Sequence, residues 1–268
     1  MRTVLVTGCS SGIGYATAQR LAADGWKVYA TARRPETLEG LENCEKLALD
    51  VTDEQSMKAA VDAAGAVDVL VNNAGYSQSG AVESVPIDEI RRQFETNVFG
   101  LVRMCQLVLP GMRSRGWGRI VNLSSMGGRL TFPGGGVYHA TKYAIEALSD
   151  AMRFEVRGFG VEVILIEPGL IVTRFGETAS DSVTTEGPYG EFNRAVAKTT
   201  EEAYNGPMAK LGGRPEKVAE TIAGALRARK PKARYPVTPS AHLMINQRRL
   251  VPDRLWDLIM RTQFPTPE

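Results

Sequence analysis

The segment Thr3-Val4-Leu5-Val6-Thr7 runs directly into Gly8-Cys9-Ser10-Ser11-Gly12-Ile13-Gly14, and a helical pattern follows from Ile13 to Ala23. A strand that enters a glycine-rich turn and leaves it as a helix constrains the fold more than any other feature of this chain. Glycine lets the backbone turn sharply and lets a ligand approach it closely. The start of the helix offers unpaired N–H groups and the positive end of a dipole. Together these meet the physical requirement for a pyrophosphate cradle built from Gly8, Ser10, Ser11, Gly12, Ile13 and Gly14. The spacing is GxxxGxG and not the GxGxxG dinucleotide fingerprint. Taken alone, a purely structural turn accounts for it as well.

The strand–helix alternation continues along the chain. Lys27–Thr31, Glu45–Leu49, Val67–Val71, Gly118–Leu123 and Val161–Ile166 read as strands, with another near Tyr235. Helical patterns run from an Asp53 cap to about Ala64, from Ile87 to Arg115 as one long helix or two abutting ones, from Val137 to Arg157, and from Pro215 to Arg229. Near-continuous apolar strands between helices predict a parallel sheet covered on both faces. The expected architecture is therefore α/β, a doubly wound Rossmann fold of about seven strands. At 268 residues the chain fits one such domain spanning 1–268.

Two stretches depart from the alternation. From Arg174 to Arg214 the pattern fails amid Thr, Ser, Gly and Pro breakers, and any helix there is expected to be short and polar. A segment of this kind after the sixth strand lies on the ligand side of the sheet and reads as a substrate lid, with a surface excursion as the alternative. Residues 236–268 form a C-terminal extension ending in an amphipathic segment, Pro252 to Phe264.

Composition narrows the function classes. Hydrophobic residues make up 43% and charged residues 23%, which excludes global disorder. A net charge of +2 gives no argument for a nucleic-acid partner, and the basic run Arg227–Arg234 reads as solvated surface. Cys9, Cys44 and Cys105 are an odd number without CxxC spacing, so neither a disulfide framework nor a metal site is expected, and a reducing, cytoplasmic setting is. The N-terminus is not read as a signal peptide, and no apolar stretch is long enough for a membrane span.

The glycine loop gains its meaning from its neighbours. Asp50-Val51 follows the third strand, Asn72-Asn73-Ala74-Gly75 ends the fourth, Ser124-Ser125 ends the fifth and Pro168-Gly169 ends the sixth. All fall at the carboxyl ends of strands, where a doubly wound sheet places its ligand. Tyr138 follows Ser125 by thirteen residues and precedes Lys142 by four, so Tyr138 and Lys142 share one helix face. A nearby ammonium favours a phenolate and lowers the phenol pKa from its usual value near ~10. Tyr138 is then a usable proton donor or acceptor for a carbonyl/alcohol pair. Ser125 can donate to the substrate oxygen as charge develops, and Ser124 should point away because strand side chains alternate. Asn97, poorly favoured within a helix, is read as interrupting local helix bonding and holding a water that relays protons to Lys142.

With TGxxxGxG at Thr7–Gly14, NNAG at Asn72–Gly75, Asn97, Ser125 and YxxxK at Tyr138–Lys142, the chain resembles the short-chain dehydrogenase/reductase family from Thr3 to about Tyr235. The run Tyr29–Arg34 and the long tail make it most similar to the branch of 17β-hydroxysteroid and retinol dehydrogenases. The resemblance implies a catalytic set of Asn97, Ser125, Tyr138 and Lys142, with Lys142 also on the nicotinamide ribose. Asp50 and Val51 would flank the adenine, Asn73, Ala74 and Gly75 would line the ribose, and Pro168, Gly169, Ile171 and Thr173 would meet the nicotinamide. It also implies a homodimer or homotetramer packed through helices around Phe99 and Phe154.

Cofactor choice can be read from the second strand. An NAD site places an acid at its end to bind the ribose hydroxyls. Here Ala32 stands there, followed by Arg33 and Arg34. A guanidinium matches the 2′-phosphate of NADP in charge and geometry, so NADP(H) is expected, held mainly by Arg33. The expected reaction is hydride transfer between NADP(H) and an alcohol/carbonyl substrate, apolar and steroid-, retinoid- or aryl ketone-like. Arg129, Leu130, Phe132, Tyr189 and Phe192 are the expected substrate contacts beside Ser125 and Tyr138. The alternative is a catalytically idle NADP-binding regulator, which should lack part of the Ser–Tyr–Lys set.

Overall fold

A computed structural model describes residues 1–172 and 186–267. The chain runs β1 (Thr3–Val6), α1 (Gly12–Ala23), β2 (Lys27–Ala32), β3 (Cys44–Ala48), α2 (Glu54–Ala64), β4 (Val69–Asn72), α3 (Ile87–Phe94), α4 (Gly100–Arg115), β5 (Gly118–Leu123), α5 (Gly136–Val156) and β6 (Val161–Glu167). After the undescribed stretch come α6 (Gly190–Asn205), α7 (Pro215–Arg227), β7 (Arg234–Pro236), α8 (Pro239–Leu250) and α9 (Asp253–Arg261).

The seven strands form one sheet in the order β3-β2-β1-β4-β5-β6-β7, and every pairing is parallel. This is a doubly wound Rossmann-like α/β fold, as expected. Strand order reverses between β1 and β4, so the crevice beyond their carboxyl ends is where a ligand would sit.

Strand alternation divides the core into two layers. Val4 and Val6 face one side and pack with Ala18 and Leu21 of α1 and Val218, Ile222 and Leu226 of α7. Leu5, Leu70 and Ile120 face the other, against Met104 and Val108 of α4 and Ile145 of α5. A third cluster lies beyond the sheet and joins Leu130, Val196 of α6, Ile245 of α8 and Trp256, Met260 and Phe264 around α9.

The stretch Ile87–Arg115, expected as one long helix or two abutting ones, is two helices joined by a π turn over Glu95–Phe99. Two elements differ from the sequence reading. Within the segment read as poorly patterned, α6 is a helix of 16 residues. Its Val196 seats on Gly134, and the buried Asn193 accepts from Ala81 N at 2.9 Å. The tail holds α8 in addition to the expected amphipathic helix. Thr238 caps α8 by accepting from Ala241 N, and Pro239 opens it.

Candidate functional site

Thr7 and Asn73 hold the glycine loop to the end of β4. Thr7 Oγ1 accepts from Asn73 N and Ala74 N, each at 3.0 Å. Asn73 Nδ2 donates to the carbonyls of Thr7 and Gly8, each at 2.9 Å. Gly8 turns with φ +73°, in the left-handed region that side chains avoid. A Cβ on Gly14 would lie 2.2 Å from Gly8 O, so the helix and the turn meet backbone to backbone.

At its start α1 has no side-chain cap and no acid in the first turn. By contrast, α2 is capped by Asp53, whose carboxylate accepts from Gln55 N and Ser56 N. A helix start that leaves its first N–H groups without a side-chain acceptor suits an anionic ligand. These residues therefore fit the pyrophosphate of a dinucleotide.

A cavity of about 1770 Å³ begins at this loop. Gly8, Ser10, Ser11, Gly12 and Ile13 form one end, with Arg33, Asp50 and Val51 beside them. Asn73, Ala74 and Gly75 follow, and then Pro168, Gly169 and Ile171. Gly14 lies just behind the wall, packed on Gly8. Thr173 falls outside the described residues, as does the first part of the expected lid, 174–185. Arg33 is exposed at the cavity edge and makes no ion pair with the described residues. Asp50 Oδ1 accepts from Thr52 N and Thr52 Oγ1.

At the middle of the cavity stand Ser125, Tyr138 and Lys142. Ser125 hydrogen-bonds the Tyr138 phenol and also accepts from Gly127 N at 3.0 Å. Burial pushes the Tyr138 phenol above its ordinary value, and the bond with Ser125 opposes that rise. The lowering expected from Lys142 is not seen, and desolvation dominates. Lys142 Nζ lies 5.6 Å from the Tyr138 ring and donates to Leu123 O at 2.7 Å. Burial lowers its pKa to about 8, and the Glu146 carboxylate works against that shift.

Asn97 is buried in the π turn and does not reach the cavity. Its Oδ1 accepts from Tyr76 N, and its Nδ2 donates to Tyr76 O and Thr141 Oγ1. The side chain thus braces the Tyr76 loop against α5. With both amide protons engaged, the side chain has none left to donate to a water.

The expected substrate contacts divide. Phe132 lines the cavity. Leu130 is fully buried in the third core cluster, and Phe192 packs on that cluster. Tyr189 Oη donates to Glu83 on the surface at 2.7 Å. Arg129 turns to the back of α5, where it pairs with Glu167 at 3.4 Å and Glu146 at 3.8 Å. Two buried carboxylates there attract the guanidinium more strongly than an apolar cavity would. None of these four lines the cavity. Its wall is completed instead by Tyr204 of α6, Met244 of α8 and Trp256, Met260 and Phe264 around α9. The sequence reading missed these residues. The Thr238-Pro239 cap signature could have revealed α8, and nothing in the local pattern pointed to Tyr204.

The ionic cluster behind α5 also involves Arg234, which donates to Glu146 at 2.9 Å and lies 3.3 Å from Glu167. Burial, then the neighbouring Glu146, raises the Glu167 pKa from 4.5 to about 7. The folded chain therefore holds a proton that the unfolded chain releases. The stabilisation from this proton is complete below pH 4.5 and is lost as pH rises through about 7. Replacing Glu167 with Gln should remove that portion of the pH dependence. Thermal unfolding from pH 4.5 to 8 checks this, and wild-type and variant Tm curves that stay parallel would show that Glu167 does not carry it.

Comparison with known proteins agrees with this geometry. The family model described as short chain dehydrogenase matches residues 2–183. The 3-ketodihydrosphingosine reductase of Bacteroides thetaiotaomicron is 35% identical over 266 residues, covering 96% of each chain. The NADPH-dependent 3-dehydrocapnine reductase of Ornithobacterium rhinotracheale is 36% identical, covering 97% of this chain and 96% of its own. A short-chain dehydrogenase structure from Streptomyces avermitilis superposes with a TM-score of 0.79 at 33% identity, covering 97% of this chain and 98% of that one. The closed form of a serine dehydrogenase complexed with NADP+ has a TM-score of 0.77 at 29% identity, covering 88% and 94%. The chain belongs to the short-chain dehydrogenase/reductase family. It is an oxidoreductase, and the family works with nicotinamide cofactors.

Proposed function

We propose that this chain reduces a carbonyl, or oxidises the corresponding alcohol, with NADP(H) as its cofactor and an apolar small molecule as its substrate. The observation that carries the reading is the Tyr138 phenol, bonded to Ser125 and buried in a cavity that opens from an anion-ready helix start. When bound, the nicotinamide supplies or receives the hydride. Tyr138 donates the proton to the carbonyl oxygen in reduction and takes it back in oxidation. A phenol kept neutral by burial suits the donating direction. Ser125 directs its hydroxyl to the same oxygen and stabilises the charge that develops there. Lys142, cationic below about pH 8, favours loss of the phenolic proton and binds the nicotinamide ribose. Asn97 acts through its brace on α5 and is a positioning residue.

Gly8, Ser10, Ser11, Gly12 and Ile13 hold the pyrophosphate, with Gly14 supporting the turn. Asp50 and Val51 flank the adenine, Asn73, Ala74 and Gly75 line the ribose, and Pro168, Gly169 and Ile171 meet the nicotinamide. Phe132, Met244, Trp256, Met260 and Phe264 support an apolar substrate by giving the cavity a hydrophobic wall. A relative named for acting on a 3-keto compound and another named as NADPH-dependent are in keeping with this reading. The exposed Phe99 of the π turn before α4 and Tyr143, Leu148 and Phe154 of α5 support a homodimer or homotetramer. Three free cysteines suit a reducing cytoplasm.

Arg33 provides the test of cofactor choice. Because β2 ends in Ala32 without an acid, Arg33→Asp should move preference from NADPH toward NADH by about tenfold or more, the worth of a charge-assisted hydrogen bond. The ratio of kcat/KM with the two cofactors measures it. An unchanged ratio would mean that the 2′-phosphate is held elsewhere.

A further inference from the structure

His139 follows Tyr138 on α5 and borders the same cavity, yet proton transfer as described above makes no use of it. Its imidazole is locked in place. A Cβ on Gly127 would lie 2.6 Å from His139 Cδ2, and one on Gly135 would lie 2.6 Å from Cε1, so two glycines leave a slot that fits the ring. Nδ1 accepts from Phe132 N at 3.2 Å. A neutral imidazole carries one donor and one acceptor nitrogen, so the proton must sit on Nε2. Nε2 donates to no described residue. The Phe132 ring lies 5.9 Å away and the Tyr138 ring 5.7 Å away, and neither offers a conventional acceptor. The Gly127 Cβ position is 3.1 Å from Nε2 and 3.5 Å from Ser125 Oγ, which puts the histidine donor close to the reacting centre.

We infer that His139 Nε2–H is a fixed, neutral hydrogen-bond donor that selects carbonyl substrates carrying a second oxygen a few bonds from the reacting carbonyl. This inference rests on the reductase reading above and specifies its substrate. A donor that no described residue satisfies is costly to leave unpaired once substrate expels water. A substrate oxygen that meets it is favoured, and a plain ketone of the same shape is penalised. Burial lowers the His139 pKa to about 4, so the donor keeps one protonation state across neutral pH. Fixed orientation and a constant charge suit such a group to recognition and not to proton shuttling.

Ethyl 3-oxohexanoate and 4-nonanone are a matched pair of probes, equal in chain length and different in the ester oxygens. The chain has two histidines, and the other, His242, is exposed, so 15N-histidine NMR can resolve both. With NADP+ bound as the non-reacting partner, the His139 Nε2 resonance should move on adding the oxo-ester and stay near its place with the ketone. In turnover, the ratio of kcat/KM for the oxo-ester over the ketone should fall roughly three- to tenfold in His139→Leu. His139→Gln, whose amide can both accept from Phe132 N and donate to substrate, should restore it. An Nε2 resonance unmoved by the oxo-ester overturns the inference, and so does the same ratio in wild type and His139→Leu. If His139→Leu does not fold, the wild-type spectrum and the Gln variant still decide. Failure of the reductase reading would show separately, as wild-type protein that reduces neither probe.

Discussion

Tyr138→Phe should lower NADPH-dependent carbonyl reduction by about 10²- to 10⁴-fold, the usual loss when a positioned acid–base group is removed. The phenyl ring keeps the shape that packs beside His139 and under Lys142. Only the hydroxyl is lost, and with it the bond to Ser125. Nucleotide binding should change little, because the contacts proposed for the pyrophosphate, adenine and 2′-phosphate come from β1–α1, β2 and β3. Steady-state reduction and a nucleotide fluorescence titration separate the two effects. A variant that keeps its turnover would remove Tyr138 from the chemistry and the proposed mechanism with it. A variant that loses both turnover and binding would make Tyr138 a structural residue of the cofactor site.

The largest structural effect should come from Gly14→Ala. The added Cβ would meet Gly8 O at 2.2 Å and Asn73 Nδ2 at 2.5 Å. Neither can yield cheaply: one is backbone, and the other holds the loop by two hydrogen bonds. Overpacking of this kind costs about 1–3 kcal/mol or more, and the shift it forces opens the turn proposed to hold pyrophosphate. The expected result is a lower Tm together with loss of nucleotide binding. Gly224→Ala is the control. Gly224 lies in α7 with nothing within 4 Å of its Cβ position, and helix propensity should make the change neutral or stabilising by about 0.5–1 kcal/mol. Equal effects of the two substitutions would show that the contact at Gly14 is not what the loop depends on.

The sheet and the loops proposed to face nucleotide were legible in the sequence because local signals carry them. Apolar strands bounded by glycine, asparagine or serine announce themselves within a few residues, and YxxxK fixes its own helix face. Segments whose packing partners lie far away did not announce themselves. In α6 a buried Asn193 takes a core position and is satisfied by Ala81 N, so an inward-facing site reads as polar. Arg129 sits among glycines next to the proposed catalytic serine. Its partners come from α5 and the end of β6, and no window of sequence holds them together. Asn97, expected to interrupt a helix, lies in the π turn between α3 and α4. What the amide does there depends on Tyr76 and Thr141, which only the folded chain brings near.

The wall formed by α8 and α9 has a consequence for biogenesis. The pieces proposed to hold nucleotide up to Gly75 belong to strands synthesised early, whereas Trp256, Met260 and Phe264 follow every strand of the sheet. Chains tend to acquire structure from the N-terminal side as they emerge from the ribosome. The nascent protein can therefore present a nucleotide-ready crevice while the substrate side still stands open. A ribosome that stalls after β7 would release a chain with a complete sheet and a cavity lacking the part of its wall that Met244, Trp256, Met260 and Phe264 supply.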